Sequence, residues 1–124
     1  MLLIWTIAPE QRERICDLLD EPFLALPPSA GPLRDHWLGL DHRNGQTPVI
    51  GAEIASADET YEALVDGRGV CLLASGNVSL VERGGVVTRP VNGVSPSQLA
   101  LAWRKDRNHP LVRAYVECAR QAVA

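Results

Sequence analysis

Short apolar runs of strand composition alternate with helical patterns along this chain, and no other feature restricts its fold as much. Strands that are apolar on both faces must be covered from both sides, so this alternation calls for a parallel or mixed sheet with helices packed on it. The pattern predicts an α/β fold. Residues 2–7 read as a buried strand, and Pro9 opens a helix to about Leu19 that turns Ile15, Leu18 and Leu19 inward. Residues 23–26 form a short strand stopped by Pro27 and Pro28, which cannot donate to a ladder. After the loop 27–31, Pro32 offers a fixed helical φ, and Leu33, Trp37 and Leu40 line one helix face until Asn44-Gly45 breaks the pattern.

In the next strand, 49–55, Ile50, Ala52 and Ile54 share one side and Glu53 faces the other. Ser56-Ala57-Asp58-Glu59 has the spacing of a capping box, with the Ser56 oxygen set for the Glu59 amide and the Glu59 carboxylate for the Ser56 amide. That helix turns Tyr61, Leu64 and Val65 inward and ends at Gly67, which suits a left-handed cap. Residues 69–74 are apolar after their glycine, the mark of a central strand. A short helix over 78–83, strands over 86–91 and 98–103, and a last helix capped by Asn108 and starting near Pro110 complete the pattern. Leu111, Tyr115, Cys118 and Ala122 recur at helical spacing on that helix and form an apolar stripe that needs a partner.

A chain of 124 residues supports one core, not two. Twelve Lys and Arg against fifteen Asp and Glu give a net charge of −3, and the basic residues are scattered, so a phosphate-tracking surface is excluded. The apolar opening lacks a charged start, is interrupted by Thr6 and ends at Pro9, which fits neither a signal peptide nor a membrane span. Cys16, Cys71 and Cys118 are odd in number and lack metal-ligand spacing; a reducing, cytoplasmic setting follows.

The common catalytic signatures are missing: no nucleophile elbow, phosphate loop, dinucleotide fingerprint or zinc helix occurs. Asp35-His36 and Asp41-His42 are adjacent pairs that point about 100° apart on a helix, so they read as solvated side chains and not as metal ligands or acid–base pairs. His109, beside Pro110, reads as a helix-start residue. The three cysteines read as small hydrophobes, and Trp5, Trp37 and Trp103 as core. Neither a cofactor nor a metal is expected, and the chain is read as a non-enzyme. What remains is a set of helix starts that follow strands: 29–32, Ser56 and Ser75. Each offers unpaired N–H groups and a hydroxyl, suited to a carboxylate or other small anion. Any one serine alone is explained by capping its own helix; the case for a ligand needs several of them at one sheet edge.

Three stretches carry a family resemblance. The run Asp20-Glu21-Pro22-Phe23-Leu24-Ala25-Leu26-Pro27 resembles the segment that opens the second lobe of the effector-binding domain in LysR-type transcriptional regulators. The stretch from Glu62 through Gly67-Arg68-Gly69 to Ala74 resembles that family's helix-to-strand signature. The last, Leu99-Ala100-Leu101-Ala102-Trp103-Arg104-Lys105-Asp106 with Pro110-Leu111-Val112-Arg113-Ala114-Tyr115, is similar to its closing strand and final helix. Order and spacing agree from about Asp17 to the end.

The resemblance implies a three-layer lobe like those of type II periplasmic binding proteins, a mixed, mostly parallel sheet with helices on both faces. Residues 17–104 would be the second lobe with its crossover segments and 108–124 the closing helix of a partial effector-binding domain, without the family's winged helix-turn-helix and first lobe. The partner implied is a small effector, a carboxylate among the candidates. The matching cleft loop is Pro28-Ser29-Ala30-Gly31-Pro32, with Ser29 as hydroxyl donor beside Ala30, Gly31 and Pro32. Thr6 lies on the crossover, Ser56 on another helix start, and Ser75 where the family has proline. The chain should bind no DNA or membrane directly. The unpartnered stripe predicts a homodimer or a rearranged terminus. Two rival readings are a stand-alone dimerisation module and a small α/β enzyme with Ser29 or Cys71 as nucleophile.

Overall fold

The computed structural model describes residues 2–5, 13–106 and 108–123. Six strands and three α-helices follow the α/β expectation: β1 (Leu2–Trp5), β2 (Glu13–Arg14), β3 (Phe23–Ala25), α1 (Pro32–Trp37), β4 (Ile50–Glu53), α2 (Ala57–Val65), β5 (Cys71–Leu73), β6 (Val87–Asn92) and α3 (Pro110–Ala122). Four strands form a sheet in the order β2-β6-β1-β5, and β3 and β4 form a second ladder. A parallel bridge from Phe23 to Val70 joins the two, through Leu24 N–H to Val70 O at 2.8 Å and Val70 N–H to Pro22 O at 2.8 Å. That bridge gives β5 a neighbour on each side, the central place its apolar run predicts.

The sheet is only partly parallel. β1 runs antiparallel to both β5 and β6, whereas β2 with β6 and β3 with β4 are parallel. Register slips between Phe23, opposite Ile50, and Leu24, opposite Ala52, which leaves Gly51 over. A side chain at that bulge would collide with the chain beyond, since an added Cβ would lie 1.8 Å from the Arg68 carbonyl oxygen.

Alternate residues of β3 and β5 feed two separate clusters, as the period of a strand requires. Phe23, Ala25, Val70 and Leu72 pack with Ile15, Leu18, Leu38 and Val91 on the α1 side. Leu24 and Cys71 pack with Ala63, Leu64, Val81 and Val86 on the α2 side. Burying both faces of these strands supplies the main stabilisation, roughly 1.5–3 kcal/mol for each large apolar side chain.

Several local expectations are corrected. Of the helix expected over 9–19, residues 9–12 lie outside the described residues. Glu13–Arg14 is instead a strand paired with Val91 and Asn92, followed by a 3-10 turn at Ile15–Asp17. Ile15 and Leu18 are buried nonetheless, because the turn drops them into the core. On α1 the buried residue is Leu38, while Leu33 and Leu40 are exposed. The helix ends at Trp37, and Gly39 at φ +65° redirects the chain, so the helical phase is lost before Leu40. On α2, Ala63 takes the inward place expected of Val65, which is exposed. The short helix after β5 is a 3-10 turn at Ser75–Leu80, earlier than expected. Residues 98–103 form no strand: they find no ladder partner among the described residues, and Leu99, Leu101 and Trp103 are exposed. Trp37 does pack on the core, so only Trp103 departs from the core expectation among the two tryptophans whose side chains are described.

Candidate functional site

Because β3, β4 and β5 run parallel, their carboxyl ends point the same way and their outgoing turns emerge along one sheet edge. Each turn carries one predicted serine. β3 leads into the 3-10 turn Pro28–Ala30 and then Gly31 at φ +54° and Pro32, the first residue of α1. β4 leads to Ser56 at the start of α2, and β5 leads to Ser75 at the start of its 3-10 turn. Ser29, Ser56 and Ser75 are all exposed. Thr6 lies outside the described residues.

The three hydroxyls are not equivalent. Ser56 accepts the Glu59 N–H at 3.2 Å, and the Glu59 carboxylate accepts the Ala55 N–H at 2.6 Å. The capping box therefore forms as expected except that its returning bond goes to Ala55 and not to Ser56. The Ser29 and Ser75 hydroxyls make no hydrogen bond with any described residue. A side chain missed by the sequence reading joins the same edge: Arg34 Nη1 donates to the Leu26 carbonyl oxygen at the end of β3. Its cation is the complement a carboxylate would need there. The contact spans eight residues across a loop, and no local pattern announces it.

Three concavities among the described residues are lined by none of these three serines. One, of about 200 Å³ between β4 and α2, is edged by Glu53, Glu59, Glu62 and Asp66 against Arg68, a charge balance that repels an anion. A second, of about 700 Å³, runs between α3 and the extended residues 99–103, with Trp103 and Tyr115 among its walls. A third, of about 30 Å³, lies between α1 and the loop after β6.

His42 in this third cleft corrects the expectation of a solvated side chain, since it is half-buried and its Nε2 accepts the Ser95 N–H at 3.1 Å. The Ser95 hydroxyl is 3.5 Å from the same nitrogen. A lone pair already taken by a backbone N–H does not serve as a general base, so this pairing is structural. Asp35, His36 and Asp41 are exposed, as expected. His109 starts α3, its Nδ1 accepting the Leu111 N–H at 3.2 Å; the cap falls on His109 and not on Asn108.

Cys71 is buried in the core, and desolvation pushes its thiol up to about 12, which leaves no thiolate to act as a nucleophile near neutrality. Cys16 and Cys118 are exposed, contrary to the packing expected of them. Among the described residues no three His, Cys, Asp or Glu side chains group to hold a metal ion, and no helix is long and apolar enough to cross a membrane.

The profile of the LysR substrate binding domain matches residues 5–124. The chain belongs to this family. No curated protein matches the chain. As a LysR substrate binding domain it is the effector-sensing part of a LysR-type transcriptional regulator, an α/β domain of periplasmic-binding-protein type in a family whose task is regulatory. The match spans all three stretches on which the resemblance rested, and it includes the β3 to α1 loop and α3 alike.

Proposed function

We propose that this LysR substrate binding domain holds a small carboxylate effector along the sheet edge where β3, β4 and β5 end. In this reading residues 17–104 form the second lobe with its crossover segments, three layers deep, and 108–124 the closing helix. One observation carries it: parallel strands bring the loop of Ser29, the cap of Ser56 and the turn of Ser75 to one edge, the place where open α/β sheets form their ligand crevice. The sorting of β3 and β5 side chains into an α1-side and an α2-side cluster supports the three-layer arrangement.

Ser29 donates its unengaged hydroxyl to an effector oxygen, Arg34 supplies the cation, and Ala30, Gly31 and Pro32 shape the loop around them. Ser75 contributes a further polar contact; Ser56 holds the α2 turn in place through its cap. The setting is the cytoplasm, with no direct contact to nucleic acid or membrane.

NMR titration with small mono- and dicarboxylates such as benzoate and succinate tests this. Amide shifts should concentrate at 28–34, 56 and 75, and both Ser29→Ala and Arg34→Gln should weaken binding several-fold. Shifts confined to other surfaces, or affinity untouched by both substitutions, would overturn the reading.

The exposed stripe of α3 favours a second reading as a pairing module, in which two copies meet through Leu111, Tyr115, Cys118 and Ala122. Their spacing of four, three and four residues is that of a helix seam. Pairing without any carboxylate response would leave this reading standing alone.

A further inference from the structure

The loop after β6 is tied to the body by a bond whose chemistry depends on a proton. Ser95 and His42 lie 53 residues apart, and the Ser95 N–H donates to His42 Nε2 at 3.1 Å. A backbone amide has only a donor to offer, so Nε2 must carry a lone pair and the single ring proton sits on Nδ1. The neutral imidazole is thus the form that fits. A second proton would place an N–H at Nε2, and two donors would then face each other across the same gap.

We propose that His42 is a proton-operated latch: neutral, it fastens the loop after β6 to the turn that follows α1, and charged, it lets the loop go. The loop leads directly into residues 98–103 and α3, so the latch fixes where that closing segment leaves the core. Asp35 and His36 on α1 and Asp41 in the same turn face the cleft; the neighbouring β5 and the loop itself present Leu72, Val94 and Ser95, which do not titrate. Arg43, the next residue, points its guanidinium away, to the carbonyls of Leu38 and Leu19. Val94 packs on the α1-side cluster in either state, so release frees the polar end of the loop while its apolar anchor stays. The Ser95 hydroxyl, 3.5 Å away, can accept from a charged ring, and Ser95→Ala should make the release sharper.

Hydrogen exchange of the Ser95 amide, corrected for its intrinsic rate, tests the latch as pH falls from about 8 to about 5, the range in which histidine changes charge. Protection should drop about tenfold, the equivalent of one lost hydrogen bond. In His42→Gln, whose carbonyl accepts but does not titrate, protection should stay level, and in His36→Gln it should fall as in the wild type. A pH response that survives His42→Gln or disappears in His36→Gln overturns the proposal. So does a ring-nitrogen spectrum of the wild type that places the His42 proton on Nε2 at pH about 8, a readout that holds even if the variants misfold.

Discussion

The guanidinium carbon of Arg43 lies 4.5 Å from the centroid of the Phe23 ring, in the middle of the α1-side core. Arg43 is 1% exposed, and its Nε and Nη1 donate to the carbonyls of Leu38 at 2.8 Å and Leu19 at 3.1 Å. The side chain thereby ties the end of α1 to the segment before β3. Its Nη2 is buried with no hydrogen-bond partner among the described residues, and the aromatic face under the cation offsets part of that cost. Desolvation lowers its proton affinity below the ordinary arginine value, yet a guanidinium stays charged in a protein.

Removing this clamp should be expensive. Arg43→Ala leaves the Leu38 carbonyl without its donor, removes one of the two donors to the Leu19 carbonyl, which keeps Gln46 Nε2 at 3.3 Å, and opens a cavity against Phe23, which predicts a loss of roughly 2–4 kcal/mol. Arg43→Lys restores the charge but not the planar fork that reaches both carbonyls while stacking, so it should recover only part. Urea unfolding of the three proteins measures this. A stable Arg43→Ala protein would show that the bonds and the stacking contribute little.

The bridge that joins the two ladders depends on bare backbone. An added Cβ at Gly69 would lie 2.5 Å from the Pro22 carbonyl oxygen, whereas at Gly76 nothing lies within 4 Å. Gly69→Ala should therefore push β3 from β5 and cost roughly 1–3 kcal/mol. Gly51→Ala at the bulge should do the same between β4 and the chain at Arg68, while Gly76→Ala should be close to neutral. Thermal unfolding compares them, and equal midpoints for Gly69→Ala and Gly76→Ala would refute the close approach.

Local signals in this chain were readable and distant pairings were not. The start of α2 was legible because Ser56 and Glu59 meet within one turn, and Phe23–Ala25 because prolines bound an apolar run. Glu13–Arg14 reads as helix from its neighbours and becomes strand through Val91 and Asn92, some eighty residues on. Leu99, Leu101 and Trp103 alternate like a strand, but a strand exists only where another supplies its ladder. The serine edge could be anticipated as a set of turns after strands. That three of those strands run parallel, that Arg34 reaches back to Leu26, and that His42 meets Ser95 are facts of tertiary pairing.

The thiols should divide by burial. Cys16 and Cys118 are exposed and should react with a disulfide reagent in the folded protein, whereas Cys71 should react only after unfolding. Its folded value of about 12 lies above the ordinary thiol value of 9.0. The folded state therefore favours the protonated form, so the contribution to stability is complete below pH 9.0 and disappears as pH rises toward about 12. Cys71→Ala or Cys71→Val should flatten the stability curve across that alkaline window. An unchanged curve would mean that another group controls it.

The stripe of α3 makes the last prediction. Leu111 is 72% exposed and Tyr115 67%, with Cys118 and Ala122 exposed beside them, so the helix presents a continuous apolar seam to water. The polar residues Arg113, Glu117 and Arg120 lie off that seam and would not oppose a second helix laid along it. Two copies crossing there bury both tyrosines, and a carboxylate at the centre of the seam would have to be buried with them at several kcal/mol. Sedimentation from micromolar to near-millimolar protein should show a wild-type dimer and a monomeric Tyr115→Glu variant. Their circular dichroism should match, because Tyr115 contributes nothing to either buried core cluster. A wild type that stays monomeric throughout would leave the α3 seam without a partner in solution and would remove the pairing reading.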